Sequence, residues 1–242
     1  MFLVSQWTIA TCPECMLEQE AQEAADRSRR EIEQAERRRL RSIEQERGLL
    51  QHRLQNSGIP ARFMDKTLET YKAPPAAVKA FRACLEYAAG FEQNLADGRS
   101  LILCGLAGTG KTHIACGITR AVIEQSRVAA VYTTAGRLFR RVKDTYSKGA
   151  TESEAAAIKA LALPELLVID EVGTTFGSDT ERNILFEVVN ERYEGLRPTI
   201  LISNLAPENL AEFAGERVID RMKENGGKLL KFDWPSHRSN KG

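Results

Sequence analysis

Apolar and polar positions divide the chain in two. From 16 to 55 the sequence has no proline and is mostly Glu, Gln and Arg. Leu17, Ala21, Ala24, Ala25, Ile32, Ala35, Leu40, Ile43, Leu50 and Leu54 return there at an approximate helical spacing. The pattern predicts one long, largely exposed helix or a helical hairpin. Asn56-Ser57-Gly58-Ile59-Pro60 ends it and marks a boundary. Beyond that point short aliphatic runs alternate with amphipathic ones. Residues 101–104, 128–132, 166–169, 199–203 and 228–232 read as strands. Leu166-Leu167-Val168-Ile169 shows none of the alternation of a half-solvated strand, so it predicts burial on both faces, as in a parallel sheet. Between the strands, helices are predicted over 75–91, 113–124, 134–146, 151–162, 179–193 and 215–223. The first opens on Pro74-Pro75, with Val78, Phe81, Leu85 and Ala88 as its buried stripe. Strands alternating with helices in this way predict an α/β fold. The chain therefore reads as an arm (1–56), a linker and leading helix (57–98), a core (99–236) and a polar tail (237–242).

Two motifs sit on this frame. Gly105-Leu106-Ala107-Gly108-Thr109-Gly110-Lys111-Thr112 joins the first core strand to the 113–124 helix and matches G-x-x-x-x-G-K-[ST]. Gly105, Gly108 and Gly110 allow the backbone close to a phosphate. The amides of Ala107, Thr109, Thr112 and His113 lie where a helix N-terminus attracts an anion. Lys111 would reach the β- and γ-phosphates of ATP, and the Thr112 hydroxyl would ligate Mg²⁺. The bland alternative is a chance glycine-rich turn. The second motif, Asp170-Glu171, ends the 166–169 aliphatic run, at the strand end where such sheets bind ligands. Asp170 is placed to hold Mg²⁺, and Glu171 to take a proton from, or orient, the attacking water. Asn204 closes the 199–203 strand and offers a neutral amide to that water or to the γ-phosphate, or is a plain turn residue. Arg217 and Arg221 lie four apart on one helix face. They form a surface lattice with Glu216 and Asp220, or reach a neighbouring subunit's nucleotide.

Composition changes the picture little. Hydrophobic residues make up 43% of 242, enough for a packed core, and a net charge of +1 announces no nucleic-acid partner. Charge is local instead. Arg27, Arg29, Arg30, Arg37, Arg38, Arg39 and Arg41 make the arm basic, which suits either a solvated helix or a docking arm for a protein. Arg137, Arg140, Arg141 and Lys143 crowd one helix. They suit either a solvated face or, with Tyr146, a contact to single-stranded nucleic acid. Cys12-Pro13-Glu14-Cys15 is half a zinc site. It is a zinc module that has lost its other half, a Zn²⁺ site completed by another chain, or two free thiols. The remaining cysteines are scattered through apolar contexts, which with the absence of a signal peptide points to a reducing cytoplasm. No apolar run approaches the ~20 residues of a membrane span.

Taken together, the loop 105–112, the strand 166–171, Asn204 and Gly215-Glu216-Arg217-Val218-Ile219-Asp220-Arg221-Met222 resemble the DnaC/IstB group of AAA+ ATPases, and within it the DnaC-type helicase loaders of bacteria and their phages. Ser57-Gly58-Ile59-Pro60 and Phe232-Asp233-Trp234 fit the same group. The resemblance covers about 57–236 and implies a five-stranded parallel sheet in the AAA+ order, with a C-terminal lid absent or rudimentary. It implies an Mg²⁺-dependent ATPase that places a hexameric replicative helicase on single-stranded DNA, gripped through the arm and assembled as a spiral. In that reading Asn204 senses the nucleotide, and Arg221, with Arg217 beside it, acts in trans. Tyr146 and Ser178 lie where loaders touch DNA, whereas Thr180 stands where some relatives carry an aromatic. The transposition helpers of the group share the same core, and a nucleotide-switched adaptor with little turnover is the non-enzymatic alternative.

Overall fold

The structure is a computed structural model that describes residues 13–174 and 177–236. The chain divides into two compact units, Met1–Leu49 and Leu50–Gly242. The first is built on α1 (Pro13–Gln55), a single continuous helix whose last residues belong to the second unit. Its Glu, Gln, Arg and Ala residues have high helix propensity, and Arg29 and Glu33 pair one turn apart at 3.8 Å. Every described side chain from 16 to 49 is exposed, including Leu17, Ile32, Leu40 and Ile43.

The second unit is a five-stranded parallel sheet in the order β2-β3-β4-β1-β5. The strands are β1 (Leu101–Gly105), β2 (Ala130–Thr134), β3 (Leu166–Val172), β4 (Thr199–Ser203) and β5 (Lys228–Phe232). Side chains alternate between the faces of each strand. One face, with Leu101, Leu103, Val168 and Ile200, is covered by α2 (Val78–Ala89), α3 (Phe91–Ala96) and α4 (Lys111–Ser126). The other face carries Ile102, Leu167, Ile169 and Leu201. It is covered by α5 (Ala135–Asp144), α6 (Glu154–Ala162), α7 (Asp179–Glu194), α8 (Pro207–Ala214) and α9 (Glu216–Lys223). After β4 the described residues form α8, α9, a 3-10 turn at Glu224–Gly226 and β5. No described helix is long and apolar enough to cross a membrane.

Three elements depart from the sequence pattern. The helix expected over 75–91 breaks at Gly90 into α2 and α3, after a single 3-10 turn at Pro75–Ala77. Its buried stripe is Ala77, Cys84, Tyr87 and Ala88, while Val78 and Leu85 are 46% and 39% exposed. The winning face is the one that seats Tyr87, whose hydroxyl donates to Arg99 O at 2.8 Å and whose ring meets Phe91 edge-on. β2 starts two residues later than the apolar run, because Arg127 ends α4 in the left-handed region and Ala129 N is taken by the Glu165 carboxylate. Helix α8, only eight residues long, is not predicted, although Leu210, Phe213 and Ala214 recur there at a helical spacing.

One buried charge sits at the opposite end of the sheet from the glycine loop. Arg192 on α7 is fully buried. Its guanidinium donates to Ala162 O at 3.0 Å, Pro164 O at 2.8 Å, Pro198 O at 2.5 Å and Thr199 Oγ1 at 2.9 Å. It ties the turns that enter β3 and β4. Burial pulls its pKa down to about 9.

Candidate functional site

The loop after β1 is shaped by contacts its own sequence does not reveal. Gly110, the cap residue of α4, has φ 97°, and a Cβ there would lie 2.4 Å from the Tyr71 ring, so only glycine fits. The Thr109 carbonyl accepts from Tyr71 Oη at 2.9 Å and from Trp234 Nε1 at 3.1 Å. Leu106 N donates to Phe232 O at 2.8 Å. Two aromatics from distant segments thus fix the Thr109–Gly110 peptide through its oxygen. Lys111 is buried and donates to Gly105 O at 2.9 Å and Leu106 O at 2.7 Å. His113 Nε2 lies 3.1 Å from Thr70 Oγ1 and 3.0 Å from Thr67 O.

The paired acids face this loop. Thr112 Oγ1 donates to Asp170 Oδ2 at 2.7 Å, and Glu171 N donates to Asp170 Oδ1 at 2.6 Å. β3 bulges here: Ile169 pairs with Leu201 but Val172 with Ser203, one residue more on β3 than on β4. The extra residue falls in the left-handed region at Glu171, φ 61°, which costs energy in a side chain of this size. Glu171 is consequently exposed between two buried neighbours. Thr174 Oγ1 donates to Glu171 O at 2.9 Å and Ser203 Oγ to Val172 O at 2.6 Å, holding the bulge. A cavity of about 790 Å³ joins Ala107, Gly108, Gly110, Lys111, Thr112, His113, Asp170, Glu171 and Asn204. Its far wall is Arg62, Phe63, Lys66, Thr70, Tyr71 and Lys72, from the segment before α2. The sequence pattern singles out none of this wall, which falls within the linker part of 57–98.

Residues 14–222 match the family model described as IstB-like ATP binding protein. The chain belongs to this family. The replicative helicase loader DnaC of Buchnera aphidicola subsp. Schizaphis graminum is 34% identical over 190 residues, 78% of this chain and 76% of that protein. DnaC of Escherichia coli K12 is 31% identical over 191 residues, with the same shares. A crystal structure of the DnaC helicase loader superposes with a TM-score of 0.64 at 24% identity, covering 72% of this chain and all of that one. The replication initiator DnaA bound to AMPPCP and single-stranded DNA gives 0.60 at 20% identity, covering 73% of this chain and 51% of that one. These structural likenesses establish the AAA+ fold.

The cavity of this IstB-like protein fits Mg-nucleotide on its own chemistry. Its volume lies in the range of small-molecule sites. The Thr112 hydroxyl and the Asp170 carboxylate, already 2.7 Å apart, are the hard oxygens that Mg²⁺ prefers. Burial holds the Lys111 pKa down, to about 8, against the pull of Asp170. A phosphate prefers the protonated amine, so if Lys111 meets the phosphates, nucleotide affinity should fall as pH rises past that value, by about tenfold between pH 7 and 9. Folding has the opposite sign: the unfolded lysine keeps its proton up to the ordinary range near 10.5, so stability rises between about pH 8 and that range. Titrations of nucleotide across this window check the first point, and a flat profile contradicts it.

The other candidate residues lie apart from the cavity. Arg217 is exposed, and Arg221 stacks over Phe186 at 4.5 Å and Tyr193 at 5.6 Å, within its own chain. Neither lines the cavity. Of the nucleic-acid candidates, Arg141 pairs with Glu152 at 3.2 Å, Lys143 with Glu181 at 2.8 Å, and Tyr146 Oη donates to Glu154 at 2.5 Å. Ser178 caps α7, accepting from Glu181 N at 3.3 Å. Arg140 is exposed and shares a second cavity, of about 490 Å³, with Arg137 and Arg141. Cys12 and the Cys15 side chain lie outside the described residues. Among those described, no group of three or more His, Cys, Asp and Glu gathers as for a metal.

Proposed function

We propose that the chain is an ATP-dependent loader of a replicative DNA helicase onto single-stranded DNA. The reading is supported by the likeness to DnaC loaders over three quarters of the chain, together with a cavity that brings Lys111, Thr112, Asp170, Glu171 and Asn204 to one place. Mg²⁺ would sit against Thr112 and Asp170 and draw charge from the phosphates. Lys111 would give up its bonds to Gly105 O and Leu106 O to the phosphate. Glu171, set outward by the bulge, would orient water and accept its proton. Asn204 would hold that water from the end of β4. Phe63 and Tyr71 would face the base.

Arg217 and Arg221 would act on the nucleotide of a neighbouring subunit in a spiral, since they lie away from the cavity of their own. Turnover per molecule should then rise with protein concentration. Lys111→Ala, which keeps the arginines, should restore turnover to the Arg217→Ala, Arg221→Ala double variant when the two are mixed. The arm, 1–56, would grip the helicase, and Arg140, Arg141, Lys143, Tyr146 and Ser178 would border the DNA.

The deciding experiment is capture of a hexameric helicase from source cells. Ile32→Glu with Ile43→Glu, at positions 65% and 51% exposed, should abolish capture without unfolding the chain. Capture of a transposase instead would favour the transposition-helper reading that the family description allows.

A further inference from the structure

Tyr132 touches both Ser57, just past the end of α1, and the Asp170 carboxylate. It lies on edge strand β2 and is 4% exposed. Its hydroxyl donates to Asp170 Oδ2 at 2.7 Å, the same oxygen that accepts from Thr112 Oγ1 at 2.7 Å. With Glu171 N on Oδ1, the carboxylate is held by three donors and cannot rotate. The backbone of Tyr132 is held in turn. Tyr132 N donates to Ser57 O at 2.6 Å. Gly58, φ 70°, packs so close that a Cβ there would meet Tyr132 O at 2.3 Å. Ser57 itself is buried where α1 ends, its Oγ donating to Leu54 O at 2.7 Å and accepting from Ile59 N at 3.4 Å. A short chain of direct contacts therefore runs from the end of α1 through Ser57 and Tyr132 to Asp170.

We propose that Tyr132 is a positioning residue that orients Asp170 for Mg²⁺ and carries the placement of the Ser57–Gly58 junction to it. The inference rests on the ATPase reading above. A phenol suits the task because its hydroxyl reaches Asp170 Oδ2 as a donor while its ring stays packed in the core. Partners that orient a metal's ligand are commonly worth tenfold or more in metal affinity. The junction directly follows α1 in sequence, so a partner that shifted it would act on the carboxylate through one side chain.

Tyr132→Phe removes the hydroxyl and keeps the ring. A fluorescent ATP analogue should bind this variant normally in EDTA, whereas the Mg²⁺ concentration needed for half-maximal tightening should rise about tenfold. Ser57→Ala loosens the junction without a clash. It should move the Mg²⁺ titration the same way by less, and add nothing when combined with Tyr132→Phe. Identical Mg²⁺ titrations for wild type and Tyr132→Phe overturn the positioning role. Additive effects of the two substitutions overturn the link to the junction. A wild-type chain that binds no nucleotide at any Mg²⁺ concentration sinks the ATPase reading, and this inference with it.

Discussion

Glu171→Gln should bind ATP as tightly as the wild type and hydrolyse it about 10²–10⁴ times more slowly. The amide has the shape of the carboxylate, so the bulge and its φ of 61° survive. What is lost is the capacity to accept a proton from water. Binding should be untouched, because the proposed contacts are made by Lys111, Thr112 and Asp170, whose hydrogen bonds do not include the Glu171 side chain. Phosphate release under saturating Mg-ATP, with calorimetry for affinity, separates the two quantities. Unchanged turnover would remove Glu171 from the chemistry and favour a nucleotide-switched adaptor. We infer that hydrolysis releases the chain from its helicase, so the trapped variant should also stay bound to it.

Arg192→Met should strongly destabilise the second unit. Methionine fills much of the volume but donates nothing, leaving the carbonyls of Ala162, Pro164 and Pro198 buried without their donor. Each such acceptor costs about 1–3 kcal/mol. The sum, discounted for relaxation, is about 3–5 kcal/mol, which lowers Tm by about 10 °C in a chain of this size. Arg192→Lys should fall between, because one ammonium cannot serve turns on both sides of the guanidinium fork. Nucleotide affinity at low temperature should be intact, since Arg192 meets the start of β4 at Thr199 whereas the site lies beyond its other end, at Asn204. Thermal unfolding checks the first statement, and a loss under about 1 kcal/mol contradicts it.

Much of the candidate site is legible in the sequence because its parts are contiguous. A glycine loop with Lys111 and Thr112 works through local backbone geometry, and Asp170-Glu171 closes a run whose four aliphatics declare a buried strand. The arm is legible as helix because its spacing repeats over many turns, although the pattern left open the hairpin that the single helix α1 excludes. The stripe on α2 was misread because two registers are nearly equally apolar there. Only the seat available to Tyr87 and Phe91 decides between them.

What the sequence by itself determined is the fold class, the nucleotide loop and the paired acids, since each depends on neighbours within a few residues. The tertiary structure alone decided which distant groups hold them: Tyr132 on Asp170 from 38 residues away, and Tyr71 and Trp234 on Thr109 from 38 and 125. It also decided the buried setting of Arg192 and the bulge that turns Glu171 outward. The physical reason is that periodicity shows which face of an element is apolar, whereas a hydrogen bond between elements depends on strand order and register. Those are settled only when the whole sheet packs.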